Sequence, residues 1–500
     1  MTQVLTQALI HSSLLRPWVA LAAVSSARWK AWLQASVLGV LEKPCAALSG
    51  LLVGLRQALR PVAPAAPLML GLLSVGLLLV LATQSTTIIA LATLFNLAVV
   101  LLAVFLFADR QPEYRLNSVD VLVVLFFITG VIATAFSSYR MQSLVGLGKM
   151  ATFFAGYLVF RLGAPLGRGF TLPVMTGLAL VGAWQALVGF DQYVSHVEPL
   201  ATWVDPEINP ELNMTRVWGT IQPLNPNLLA GFLAPCLAAA AGLKLYFTQK
   251  KTWLLNGVFG LMALAVLGAV VLTGSRGGFL VIAALLVSTF AWAGHVLWHH
   301  PGFPFARLWK RLWVIALVAV ILAAGAGIAV SPKIQQRVMS MFAMRQDSSI
   351  SYRLNVYGSA MQIIRDNPVV GIGPGNDTFK QVYGLYMVPG FNALGSYSVP
   401  LEIAVEQGLP GLIVFLSLLL VIFFRLAFCL DHPDIELREK WWLLMLFNGV
   451  LLSVVYGVFD TIWYRPAVNL LFWLCVAFFA VDSERLLLRH PLPARSGETA

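Results

Sequence analysis

The residues of this sequence that are best suited to chemistry are arginines beside glycine-rich turns. Arg276 lies in Thr273-Gly-Ser-Arg-Gly-Gly278, between the apolar runs 252–273 and 277–297. Arg216 begins the stretch Arg-Val-Trp-Gly-Thr, which comes before the apolar run 226–247. A guanidinium at the end of an apolar run is costly unless it reaches water or pairs with an anion, and its fork matches phosphate oxygens. We therefore expect Arg216 and Arg276 to bind a phosphate group. For Arg276, the simpler alternative is a cation that reaches water beside a tight turn.

Two further features are expected to support the same site. Asn227, preceded by Pro226, is expected to cap the helix that follows, and helix N-termini attract anions. Arg353 lies on an amphipathic helical pattern from Tyr352 to Arg365 and is expected to add a third cation. The stretch Asn367-Pro-Val-Val-Gly-Ile-Gly-Pro-Gly375 lacks the Lys-Ser/Thr of a P-loop and predicts a structural turn.

Carboxylates follow in two places. Glu402 and Glu406 are four residues apart and share a helix face. In a mostly apolar helix such a pair points to a function, or else to an interfacial helix with one wet face. Asp460 and Arg465 lie in a tight turn between the last two apolar runs and are further candidates, unless they simply pair with each other.

The composition places these residues in a membrane protein. The chain has 500 residues, of which 59% are hydrophobic and only 11% charged, and its mean hydropathy is +0.81. Soluble domains carry roughly 25% charged residues, so a soluble enzyme, a disordered chain and a disulfide scaffold are excluded. The net charge of +11 lies between apolar runs, as the positive-inside rule describes, rather than in a patch for nucleic acid.

Apolar runs of the bilayer-spanning length predict an all-α polytopic membrane protein with about twelve transmembrane helices. The charge distribution places both termini in the cytoplasm. The predicted spans are 66–84, 87–108, 118–136, 142–161, 171–190, 226–247, 252–273, 277–297, 311–330, 405–428, 441–460 and 464–482. The predicted divisions are a cytoplasmic amphipathic interfacial segment (1–65), helices 1–9 (66–330) with an outer loop (191–225), a large periplasmic loop (331–404), helices 10–12 (405–482) and a cytoplasmic tail (483–500).

Over residues 118–482 the chain resembles the O-antigen ligase/polymerase superfamily of GT-C-type glycosyltransferases. The resemblance is most specific in Ser275-Arg-Gly-Gly278, in Asn-Pro-x-x-Gly-x-Gly-x-Gly and in the Glu-x-Gly-x-x-Gly motif that starts at Glu406. Thr215-Arg-Val-Trp-Gly-Thr with Asn-Pro-Asn, and Asp460-Thr-Ile-Trp-Tyr-Arg-Pro, resemble a cyanobacterial branch of it that is labelled as bicarbonate transporters.

The resemblance implies transfer of a glycan from undecaprenyl pyrophosphate to an acceptor at the periplasmic face of the bacterial inner membrane, without metal or cofactor. Arg216 and Arg276, with Arg353, would bind the donor pyrophosphate, and the charge growing on the leaving group would be stabilised there. The expected partners are the lipid-linked donor, an unknown acceptor and membrane lipids, with no nucleic acid.

On the acceptor side the chain departs from the family pattern. Family members place a His shortly before the Glu-x-Gly motif, and that position here is Tyr397; no His lies within 331–400. An unperturbed Tyr, with a pKa near 10, is a poor base at neutral pH, whereas His accepts a proton readily. Three alternatives follow: Glu402 is the base, the acceptor needs little activation, or the reaction has been lost.

Two other functions remain open from the sequence. Bicarbonate transport rests on the branch label, and a non-catalytic assembly factor rests on Tyr397. Coupled transporters tend to show ionisable residues at mid-membrane depth. Here Lys149 is expected to be the only charge deep within a span, with no carboxylate at a comparable depth.

Overall fold

Helices are the regular structure of the described part of this chain. The computed structural model describes residues 16–22, 24, 63–106, 116–197, 216–249, 252–299, 306–330, 335, 348–461 and 463–490. Within those ranges no strand occurs. The apolar sequence explains this, because a backbone that crosses lipid must satisfy its own hydrogen bonds, and an α-helix does so within one segment.

Fifteen α-helices lie in these ranges, and the bundle is numbered from them. They are α1 (Arg16–Ala22), α2 (Ala66–Thr83), α3 (Thr86–Leu106), α4 (Ser118–Phe136), α5 (Arg140–Gly163), α6 (Arg168–Val194), α7 (Pro226–Gln249), α8 (Trp253–Leu272), α9 (Arg276–His299), α10 (Ala306–Val330), α11 (Ser348–Asp366), α12 (Asn376–Tyr383), α13 (Val399–Asp431), α14 (Leu437–Gly457) and α15 (Pro466–Arg489).

The membrane prediction is confirmed as an all-α polytopic protein. Among the described residues, eleven helices are long and apolar enough to cross a bilayer, namely α2 to α9 and α13 to α15. Helix α10 coincides with the predicted ninth span at 311–330. The predicted amphipathic pattern from Tyr352 to Arg365 lies within α11. Most of the predicted segment 1–65, the acidic part of loop 191–225 and most of 331–347 lie outside the described residues.

Helix α15 occupies the centre of the bundle. Its membrane-spanning window is 100% buried, against 22% for α8 at the periphery. It contacts α5, α7, α13 and α14, and also α2, α3 and α4. The helices have two sets of ends. We call the end that carries Arg216, Arg276 and Asp460 the site face, and the end that carries Arg425 and Glu484 the opposite face.

Buried ion pairs fasten the helices at the opposite face. Arg425 of α13 lies 2.6 Å from Glu484 of α15, and both side chains are almost fully buried. Asp120 of α4 accepts hydrogen bonds from Arg161 and from Tyr157 of α5. These charges lie near helix ends, so the statement that Lys149 is the only charge deep within a span stays a prediction. Paired charges at these helix ends are tolerated because each is hydrogen-bonded to its partner.

Breaking the Arg425–Glu484 pair tests this arrangement. We expect Glu484→Ala to lower stability by about 3–5 kcal/mol, because it leaves a guanidinium buried without its carboxylate. The measurement is the unfolding temperature of the purified full chain in detergent. Glu436→Ala is the matched control, since the side chain of Glu436 is 73% exposed and its ion pair with Arg438, at 3.5 Å, is therefore open to water. Equal shifts for the two variants would contradict the expectation.

Candidate functional site

The turn between α8 and α9 positions Arg276. Gly274 adopts φ +59, which reverses the chain within three residues. Ser275 Oγ lies 3.2 Å from the hydroxyl of Tyr456 in α14. A Cβ at Gly277 would stand 2.8 Å from the Tyr456 ring, so the missing side chain lets α14 pack directly on the turn. Arg276 is thus held at the first residue of α9, where the helix dipole is positive.

Arg216 is fixed beside the same turn. Its Nε donates to the carbonyl of Thr273 at 2.8 Å, and its Nη2 donates to Oδ1 of Asn227 at 2.8 Å. Tyr456 also donates a hydrogen bond to the carbonyl of Asn227. The segment that begins at Arg216 and the turn that ends at Arg276 therefore meet at the site face.

The helix cap predicted at Asn227 is wrong by two residues. Helix α7 begins at Pro226, and Oδ1 of Asn225 accepts from the backbone N–H of Asn227 at 2.7 Å. Asn225 is the N-cap because Pro fits the first helical position, where its missing N–H costs nothing. This leaves the side chain of Asn227 to accept from Arg216.

The third predicted cation also lies at the site. Arg353 of α11 has its Nη2 3.7 Å from Oδ2 of Asp460, and both side chains are about four-fifths buried. Asp460 Oδ1 accepts from the backbone N–H of Thr461 at 2.7 Å. The described ion pair of Asp460 is thus with Arg353 rather than with Arg465, the alternative considered from the sequence.

These charges act on Arg216. Burial lowers the pKa of its guanidinium; Tyr456 and Asp460 oppose that effect, whereas Arg276 and Arg353 reinforce it. Among the described residues, two neighbouring cations and one carboxylate around this buried guanidinium leave positive charge in excess. Such an arrangement attracts an anion, because the anion relieves the repulsion among like charges.

A hydrogen-bonded chain links Tyr397 to Glu402. The backbone N–H of Tyr397 donates to Oγ1 of Thr461 at 3.0 Å, and this hydroxyl donates to Oε1 of Glu402 at 2.6 Å. Glu402 is fully buried, and its Oε2 has no hydrogen-bond partner among the described residues. Thr461 therefore connects the carboxylate of Glu402 to the backbone of Tyr397.

Tyr397 itself is strained and partly buried. Its φ of 53 lies in the left-handed region, which is uncommon for a residue other than Gly, Asn or Asp. Tyr357 of α11 donates to its carbonyl at 3.1 Å. Burial first, then Tyr352 and Asp460, raise the pKa of the Tyr397 phenol above its ordinary value. The phenol therefore stays protonated at neutral pH.

The glycine-rich stretch donates hydrogen bonds to a break in α13. Gly408 interrupts this helix with φ 69, so that the carbonyls of Val405 and Glu406 lose their helical partners. The N–H groups of Ile372 and Gly373 donate to those two carbonyls at 2.9 and 3.0 Å. The stretch is the structural turn that the sequence predicts, because its donors satisfy backbone groups that lipid cannot.

Glu406 points into the same turn. Its Oε1 accepts from the N–H of Gly375 at 2.8 Å and from the hydroxyl of Tyr464 at 2.6 Å. Lys149 of α5 donates to Oδ1 of Asn376 at 2.8 Å and interacts electrostatically with Glu406. The expectation that Lys149 has no carboxylate at a comparable depth is therefore wrong, and both groups serve the turn.

Arg465 is a further charged group of the site face. Burial lowers the pKa of its guanidinium, and Asp460 and Glu402 act in the opposite sense. It lies at the N-terminus of α15, where its carbonyl accepts from the N–H of Asn469 at 2.9 Å. Arg465 thus adds positive charge on the side of Asp460 that faces α15.

Residues 236–416 match the family model described as O-antigen ligase. Over these residues, roughly a third of the chain, the match supports a likeness to the O-antigen ligase/polymerase superfamily. No curated protein matches the chain.

The O-antigen ligase match covers one part of the site. It contains Arg276, Arg353, Tyr397 and Glu402, together with the glycine-rich turn. The other site residues lie on either side of the matched segment, and the fold brings them to it: Arg216, Asn227, Asp460 and Arg465. Among the described residues, no group of three His, Cys, Asp or Glu side chains with metal-ligand spacing lies at this face.

Two glutamines that sequence reasoning missed hold the Arg216 segment in place. Gln192 Oε1 accepts from the N–H groups of Trp218 and Gly219, both at 3.0 Å. Gln185 Oε1 accepts from the N–H of Thr220 at 3.0 Å. The two amides are seven residues apart in the apolar helix α6, and this spacing on one helix face was the available signal.

The glycine-rich turn yields a stability test. A Cβ at Gly371 would lie 2.5 Å from the backbone of Glu406, whereas Gly390 has a similar positive φ and open space around it. We expect Gly390→Ala to cost only the left-handed strain of about 1–2 kcal/mol. Gly371→Ala adds a backbone overlap to that strain and is expected to be clearly more destabilising.

The measurement is the unfolding temperature of both variants in the same detergent. Gly390→Ala is the matched control because it carries the same kind of strain without the contact. Equal unfolding temperatures would show that the turn does not pack against the break in α13 as described.

Proposed function

We propose that the chain transfers a glycan from a polyprenyl pyrophosphate donor to an acceptor hydroxyl at the site face. The observation that carries this proposal is the convergence of Arg216, Arg276 and Arg353 on a part-buried position that has Asp460 as its neighbouring carboxylate. A pyrophosphate supplies the negative charge that this excess of guanidinium requires. The O-antigen ligase match supports the same reaction class.

In this proposal the arginines act on the leaving group. Pyrophosphate oxygens accept from the guanidinium forks of Arg216 and Arg276, and the N-terminus of α9 adds its partial positive charge. When the acceptor oxygen bonds to the anomeric carbon, the bond from that carbon to the phosphate oxygen breaks. The electron pair leaves with the polyprenyl pyrophosphate, whose growing charge the fixed cations stabilise.

We assign Asp460 as the base that takes the proton from the acceptor hydroxyl. Its carboxylate is partly exposed and lies 3.7 Å from Arg353, beside the donor site. Glu402 is fully buried behind Thr461, so we assign it the role of positioning Thr461 and the turn that carries Asp460. Tyr397 stays protonated and is therefore a hydrogen-bond donor to bound substrate rather than a base.

We also propose an orientation in the membrane and a carrier lipid. The site face is the periplasmic side of a bacterial inner membrane, both termini are cytoplasmic, and the carrier is undecaprenyl pyrophosphate. The family match lends no support to the bicarbonate-transporter branch. Arginines gathered at one face favour binding at that face, and binding alone does not move an ion across the bilayer.

Removing Arg276 tests the donor site. We expect Arg276→Ala to lower the transfer rate by about 10²–10³-fold, the usual loss when a group that stabilises transition-state charge is removed. The assay supplies a polyprenyl pyrophosphate glycan and candidate acceptors to the full chain in lipid, and measures release of the pyrophosphate carrier.

Arg140→Ala is the matched control for that experiment. Arg140 is likewise the first residue of a membrane-spanning helix at the site face, but it is exposed and lies outside the cluster. Its variant is expected to retain the rate of the natural chain. Equal rates for Arg276→Ala and the natural chain would overturn the donor assignment, and bicarbonate uptake into proteoliposomes by this chain alone would favour transport.

The pH profile of transfer tests the assignment of the base. A carboxylate base gives a rate that rises with pH as the group ionises, and we expect Asp460→Asn to remove that acid limb with a loss of about 100-fold or more. Glu402→Gln and Tyr397→Phe are expected to keep the limb. For Tyr397 the sign follows from its raised pKa, because the phenol is protonated on both sides of the limb.

Folding is monitored by the unfolding temperature of each variant. Loss of the acid limb in Glu402→Gln, with the limb intact in Asp460→Asn, would transfer the role of base to Glu402.

A further inference from the structure

A cluster of metal-ligating side chains lies at the opposite face, away from the proposed transfer site. His432 and Asp434 follow α13, and His490 follows α15. The ligand atoms of these three residues all lie within 4.8 Å of one another. The two imidazole rings have their centroids 5.3 Å apart, and His432 Nδ1 is 3.9 Å from Oδ2 of Asp434.

The backbone around the cluster favours a cation. His432 is the C-cap of α13 and His490 is the C-cap of α15, so two helix C-termini converge where the imidazoles meet. Each C-terminus carries roughly half a negative charge. The carbonyl of Leu430 in the last turn of α13 accepts a hydrogen bond from the ammonium group of Lys440 at 2.8 Å.

We propose that His432, Asp434 and His490 bind a divalent transition-metal ion of the zinc class. Two imidazoles and one carboxylate, with a water as the fourth ligand, form a donor set typical of zinc. Ligand atoms around tetrahedral zinc are about 3.4 Å apart, so the cluster must contract by about 1 Å. The side chain of Asp434, in the turn after α13, is 75% exposed and therefore free to move toward the two imidazoles.

The ion would join two helices that both serve the site face. Helix α13 carries Glu402 and Glu406 at its other end, and α15 begins directly after Arg465. A metal at their far ends restrains the two helices without contacting the transferred group. Its role is therefore structural, and its test is independent of transfer activity.

The experiment measures zinc binding by the full chain without a polyhistidine tag. The protein is stripped with a chelator, placed in lipid nanodiscs and titrated with ZnCl₂ by calorimetry. The expected result is one ion per chain with a micromolar or tighter Kd, and an unfolding temperature that rises by several degrees on saturation. Absence of saturable binding overturns the proposal.

Variants locate the ion. His432→Ala and His490→Ala are each expected to weaken binding at least 10-fold, whereas His196→Ala, in a turn at the site face, is the matched control and leaves it unchanged. Asp434 is 75% exposed, so Asp434→Asn is expected to fold even if a His variant does not. This variant is expected to weaken zinc binding about 10-fold. Unchanged affinity in Asp434→Asn and in the His variants that fold, or sulfur ligands in the zinc X-ray absorption spectrum, would overturn the assignment.

Discussion

The break in α13 at Gly408 is the constraint on which the site face depends. A bilayer offers no partner for the carbonyls that the break frees, so the chain must supply donors of its own. The turn from Asn367 to Gly375 supplies them, and Glu406 fastens the turn from the other side. The short segment of α13 before the break can then lean away from the rest of the helix. Its residue Glu402 is thereby placed under Thr461, next to the carboxylate that we assign as base.

The electrostatics of the protein divide between its two faces. At the opposite face several buried charges have a partner of opposite sign, as for Arg425 with Glu484, and these pairs lock helix ends together. At the site face, within the part of the chain that the structure describes, Arg216, Arg276 and Arg353 lie near one carboxylate, that of Asp460. The backbone there is held by neutral amides and hydroxyls, such as those of Gln192 and Tyr456. Paired charges stabilise contacts between helices, whereas an excess of positive charge attracts an anionic ligand. This contrast is the physical basis for placing the chemistry at one face only.

Local signals in the sequence were enough for the helices and for part of the site. Apolar runs of bilayer length predicted the helices because burial in lipid leaves little choice of structure, and Arg276 was marked by the glycines beside it. The cap at Asn225 was missed because Asn-Pro-Asn offers two caps, and only the contact of Asn227 with Arg216 separates them. The partners of Glu402, Glu406 and Lys149 were not predictable, since each depends on contacts between segments far apart in the chain.

The central position of α15 bears on how the protein is made. Ribosomes deliver the chain from its N-terminus, and α15 is the last of the described helices to leave the ribosome, yet it fills the middle of the bundle. The helices that surround it must enter the membrane around a space that is still occupied by lipid or by the insertion machinery. Insertion of α15 therefore fills a central position rather than adding a helix at the periphery. Until then Arg168 lacks its Asp482 partner and Arg425 lacks its Glu484 partner.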